Sequence, residues 1–93
     1  MIEHSLITLN SDESIRISPI GVHSGIDITI QNINSSGYIY IGGVGVSISD
    51  YGYRILPNHA ISIELNGFDS LYAISSDSGM QIAVLKANLE TGS

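Results

Sequence analysis

The sequence contains no cysteine and no tryptophan, two prolines, and only three cations, Arg16, Arg54 and Lys86. Without cysteine a disulfide framework is excluded, and the redox compartment stays open. Three cations against nine carboxylates leave a net charge of −6. That number cannot neutralise a row of phosphates, so nucleic-acid binding is not expected, and attraction to an anionic membrane surface is disfavoured for the same reason. Charged residues make up 13% of the chain, against about 25% in a typical soluble domain. Much of the surface must therefore carry Ser, Asn, Gly and Thr, or lie against a partner. No apolar run approaches the ~18 residues of a membrane-spanning helix. The start, Met1-Ile2-Glu3-His4, has neither the basic residues nor the apolar run of a secretory leader, and the expectation is folding in a cytoplasm.

What is present is alternation. Hydrophobic residues amount to 43%, too many for a disordered chain. A chain of 93 residues forms one domain, 1–93, able to bury roughly 60–65% of its unfolded surface. Glu13–Ser18, Ile26–Gln31, Ala60–Leu65 and Met80–Val84 each place apolar and polar residues at period two, which gives a strand one dry and one wet face. No window shows a helical apolar stripe. Isoleucine dominates, and its branching at Cβ favours strands. Asn10-Ser11-Asp12, Asn34–Gly37, Asp50-Tyr51-Gly52, Asn66-Gly67 and Asp77-Ser78-Gly79 are turn signals. Pro19 and Pro57 cannot donate to a ladder and mark strand ends or loops. The expected fold is all-β, a single compact β-sandwich or jelly-roll-like barrel of about seven to eight antiparallel strands. Residues 1–12 are expected as an N-terminal arm or edge strand, and 88–93 as a frayed tail.

The stretch Gly37–Ser49 carries no charge. It reads as a strand, a glycine bend and a second strand continuing through Val46-Ser47-Ile48-Ser49. Gly42-Gly43-Val44-Gly45 lacks the lysine and the following helix of a phosphate loop, so the glycines point to backbone geometry. Tyr38 and Tyr40 share one face of the first strand and Ile39 and Ile41 the other. A strand apolar on both faces sits in a core or under a partner.

Candidate chemistry is thin. His4, His23 and His59 show no metal-ligand spacing. Asp50, Asp69 and Asp77 fall in turns and lack the D-x-D-x-D spacing of a calcium loop. No serine stands in a G-x-S-x-G context. The expectation is no enzyme, no cofactor and no metal. Tyr51 and Tyr53 flank a glycine in a loop, where aromatics anchor interfaces. With Asp50 they are also the residues expected to line a shallow sugar site.

The order Ile28, Ile30, Asn32, then Tyr40-Ile41-Gly42-Gly43 and Gly45-Val46-Ser47, continues with Leu56-Pro57, Ile61, Ile63, Leu65, Leu71-Tyr72-Ala73-Ile74-Ser75, Gly79 and Val84-Leu85. This pattern, covering about residues 22–86, resembles small virion proteins of tailed bacteriophages. The resemblance implies a compact β-module with a structural or binding role and no catalysis. Some such proteins decorate the capsid exterior, and others are pieces of tails or fibres. The expectation is a head-decoration (cement) protein in the virion, made in the host cytoplasm. It would bind the major capsid protein or another virion protein as a homotrimer. The alternative is a carbohydrate- or receptor-binding module of a tail or fibre. The residues expected at the contact are Ile2, His4, Leu6, Tyr38, Tyr40, Tyr51 and Tyr53.

Overall fold

The computed structural model describes residues 2–18, 25–65 and 70–88. Pro19, His23, Asn66-Gly67 and Asp69 lie outside these residues, as do 89–93 of the expected tail. Among the described residues there are eight strands and no helix: β1 (Ile2–Thr8), β2 (Ile15–Arg16), β3 (Ile26–Asn32), β4 (Ile39–Gly42), β5 (Tyr53–Ile55), β6 (Ala60–Leu65), β7 (Tyr72–Ser75) and β8 (Gln81–Asn88). They form two four-stranded sheets, ordered β1-β8-β3-β6 and β2-β7-β4-β5. All pairings are antiparallel.

The pairs are nested. β1 lies beside β8, β2 beside β7, β3 beside β6 and β4 beside β5, and successive pairs fall on alternate sheets. The chain is thus one long hairpin, open at β1 and β8 and closed at β4 and β5, rolled up on itself. That is a jelly roll. It bears out the all-β sandwich expected from alternation. The first sheet has long strands of six to eight residues. The second has short strands of two to four.

Alternation sets which side chains meet between the sheets. In β3, Ile26, Ile28 and Ile30 are buried while Asp27, Thr29 and Gln31 face outward. Ile82 and Val84 of β8 meet Ile39 and Ile41 of β4, Ile55 of β5 and Ala73 of β7 in one core cluster drawn from both sheets. Burying a single isoleucine contributes about 1.5–3 kcal/mol, so this cluster is the main source of stability. The expected strands at Ile26–Gln31, Ala60–Leu65 and Met80–Val84 correspond to β3, β6 and the first half of β8. Glu13–Ser18 yields only the two-residue β2.

Asn32 takes an inward position at the end of β3 and is fully buried. Its Nδ2 donates to the carbonyls of Ile55 (3.1 Å) and Gly37 (3.2 Å). Its Oδ1 accepts from the backbone N–H of Asn34 (3.1 Å) and from Asn34 Nδ2 (2.7 Å). Its backbone exchanges two more bonds with Asn58 and His59. One amide therefore ties the long sheet to β5 of the short sheet and fixes the turn between. Gly37 in that turn has φ +88°, and a Cβ there would meet Met80 at 2.8 Å. The positive φ favours glycine, and any Cβ would also have to push the flexible end of Met80 aside. The turn Leu56–His59 closes with His59 N–H on Leu56 C=O at 3.1 Å. Asn58 takes φ 63°, so Pro57 then Asn58 supply the central residues of a type II turn.

One expectation fails. Val46–Ser49 does not continue as a strand; residues 43–52 form a loop whose sole bridge joins Ser47 and Asp50. A turn closes it early, with Val46 N–H on Gly43 C=O at 3.2 Å and Gly45 at φ +90°. The physical reason is that Val46 is buried against Tyr40 and Ile74 on the outside of the short sheet. Its apolar side chain is satisfied by lying across a sheet rather than pairing into one.

Candidate functional site

Each sheet has an outer face, and the two are built differently. On the short sheet, Tyr40 and Ile74 stand side by side in register, with Arg54 beyond. Val46 from the loop covers Tyr40 and Ile74. The Tyr51 ring leans on Tyr40 with centroids 4.6 Å apart and planes at 43°, a tilted arrangement favoured by the ring quadrupoles. Arg54 lies over the Tyr38 ring at 4.8 Å, and Arg16 over Tyr72 at 6.0 Å. Two of the three cations thus sit on aromatic faces of one sheet.

At the hairpin's closed tip the loop leaves a hollow of about 290 Å³, lined by Gly42–Val46 and Asp50–Gly52. Gly43, Val44 and Gly45 donate no backbone hydrogen bond to another described residue. Asp50 is exposed, and its backbone pairs with Ser47.

On the long sheet the outer face is bare. Register sets out two rows: His4, Leu85, Thr29 and Ser62, then Leu6, Ala83, Gln31 and Ala60. Thr29 and Ser62 share a hydroxyl bond at 2.8 Å. Leu6 is 63% exposed and Leu85 44%. A groove of about 250 Å³ runs between β1, β8 and β3, lined by Leu6, Ala83, Leu85, His4, Thr29 and Gln31 among others. None of these is Asp, Glu, Lys or Arg. Among the described residues, carboxylates on this face appear at one end, where Asp27 and Glu64 stand directly opposite each other.

The residues expected at a contact therefore split. His4 and Leu6 come together on the bare face, and Ile2 holds the next position of the same alternation, opposite Ala87. Tyr38, Tyr51 and Tyr53 are exposed on or near the short sheet. Tyr40 is corrected: at 9% exposure it is a packed residue under the protein's own loop and presents no contact surface. Asp50 and Tyr51 share the hollow, and Tyr53 does not line it. Sequence reasoning missed Ala83 and Leu85. The signal was there, because Ile82-Ala83-Val84-Leu85 is apolar at both parities.

The described residues contain no group of three His, Cys, Asp or Glu side chains able to hold a metal ion. His4 and His59 stand on different elements, an outer strand and the Leu56–His59 turn. A third hollow, lined by Asn34 and Asp77 among others, is partly occupied by bonds of the protein itself. Asn34 Nδ2 donates to Gln81 C=O at 2.8 Å, and Gln81 N–H returns to Asn34 Oδ1 at 3.2 Å. No protein-family model matches the chain, and no curated protein matches its sequence.

Proposed function

We propose that this jelly roll is a non-catalytic virion protein of a tailed bacteriophage that docks on the capsid exterior through the outer face of its long sheet. The observation that carries this reading is the uncharged apolar face around Leu6, Ala83 and Leu85 on a chain of net charge −6. An acidic protein is kept in solution by its charge. Here the carboxylates of the outer face are confined to the Asp27–Glu64 end, and exposed leucines occupy the part around Leu6 and Leu85. Contiguous apolar surface on a small protein marks an interaction site. The virion context comes from the sequence resemblance, and the jelly roll supplies the rigid β-module that the resemblance implies.

On a capsid lattice each copy needs only a modest contact. Symmetric arrangement multiplies it, since linked or repeated contacts raise avidity without new chemistry. The homotrimer at three-fold positions belongs to this reading. The test is co-sedimentation with expanded capsids of the parent phage. Saturable binding is expected for the native chain, with loss of at least tenfold in affinity for Leu6→Glu and for Leu85→Glu. Native protein that stays in the supernatant at all concentrations would sink the reading.

A further inference from the structure

We infer that the hollow at the closed tip of the hairpin is a second binding site, on the other sheet from the docking face, and that it takes a neutral sugar ring. The chemistry of the lining excludes the other small-ligand classes in turn. An anion would meet Asp50, the only charged group of the lining, in a protein already at net charge −6. A metal ion needs several oxygen or nitrogen side chains, and the described residues offer no such group. A purely apolar ligand would bury the Asp50 carboxylate and the backbone N–H groups of Gly43, Val44 and Gly45, with no compensation.

A neutral polyhydroxylated ring satisfies all of these at once. Its hydroxyls donate to Asp50, whose two carboxylate oxygens accept side by side. Its oxygens accept from the backbone N–H groups of Gly43, Val44 and Gly45. Its C–H face lies on the ring of Tyr51, which is 42% exposed and braced from behind by Tyr40. That brace holds the platform before the ligand arrives, which lowers the ordering cost of binding. The volume, about 290 Å³, sits at the small end of ligand pockets, near 300 Å³. It fits one ring with part of its neighbour. The affinity of a single open site of this kind is expected in the millimolar range. Many copies on one particle would make it effective on a glycan-covered surface.

The structure also supplies a clean block. Gly43 lines the hollow, and a Cβ added there meets no atom within 4 Å. Gly43→Leu therefore adds bulk at the lining of the hollow without displacing the protein's own atoms. The experiment is a titration of ¹⁵N-labelled protein, followed by amide chemical shifts, with glucose, galactose, mannose and N-acetylglucosamine to about 50 mM, well above a millimolar dissociation constant. Inorganic phosphate serves as the anionic probe. At least one sugar is expected to shift the amides of Gly43, Val44, Gly45, Asp50 and Tyr51 saturably. Gly43→Leu should abolish the shifts with the rest of the spectrum in place, and Asp50→Ala should weaken binding tenfold or more. Leu6→Glu, on the docking face, should leave sugar binding unchanged, so that failure of one site is distinguishable from failure of the other. The inference is overturned if none of the four sugars moves these amides, if the shifts persist in Gly43→Leu, or if phosphate binds there more tightly than any sugar.

Discussion

The outer faces of the two sheets solve the same problem in opposite ways. Tyr40 and Ile74 on the short sheet are apolar residues that would face water, and the chain bends its own tip, through Val46 and Tyr51, over them. Leu6 and Leu85 on the long sheet are equally apolar and nothing in the described chain covers them. Alternation alone does not separate the two cases, since both sheets carry apolar residues at both parities. What separates them is the length of the connection next to each face. The β4–β5 loop spans ten residues, 43–52, long enough to fold back. Beside β1 and β8 the described residues supply no such cover: the 9–14 and 76–80 connections are about half as long.

The largest expected effect tests what holds the two sheets to each other. Asn32→Ala removes four side-chain hydrogen bonds, among them the donors to the carbonyls of Ile55 and Gly37. The expected loss is roughly 3 kcal/mol, read from urea unfolding. A change below about 1 kcal/mol would show that water replaces the amide and that Asn32 does not join the sheets. Next comes the covered face. Val46→Ala removes buried methyl groups and should cost about 1–2 kcal/mol, with Tyr51 more exposed to quenchers. The matching truncation on the bare face, Leu85→Ala, should change stability by less than about 0.5 kcal/mol, as for other surface substitutions. Equal costs at the two positions would erase the distinction between a self-covered and an uncovered face.

A smaller effect lies at the acidic end of the long sheet. Asp27 and Glu64 are direct cross-strand neighbours on the outer face, and like charges opposite one another are unfavourable. Glu64→Lys replaces repulsion with attraction and should raise stability by about 0.5 kcal/mol, measured by thermal melting at low salt. The gain should shrink as salt is added, because exposed pairs are screened. A destabilised variant would mean that the two side chains are held apart.

Much of this fold was legible in the sequence. Ile26, Ile28 and Ile30 announced β3, and Pro57 announced a break, which falls between β5 and β6. Ile39 and Ile41 against Tyr38 and Tyr40 correctly indicated a strand covered on both faces. The identity of the cover was not legible. Val46 and Ile48 alternate just as a strand would, and nothing local distinguishes a residue that pairs from one that lies across a sheet. Asn32 left a sign that only its surroundings make readable: it is polar at the parity where Ile28 and Ile30 point inward. The bare face stayed hidden for a different reason. Leu6 and Leu85 become neighbours only when β1 pairs with β8, and a contact between positions so far apart has no short-range signature.

That pairing also spans nearly the whole chain. Ile2 finds its partner in Ala87 and Thr8 in Gln81, so the first strand made is completed only by the last. At ribosomal speeds of about 5–20 residues per second, β1 waits on the order of ten seconds for its neighbour. β3 waits too, because β8 lies between it and β1. The β4–β5 tip, by contrast, closes over a short span and can form first. Loop-closure entropy therefore favours pairing at the tip over pairing at the ends, and the leucines of the bare face become neighbours only through the longest-range pairing of the fold.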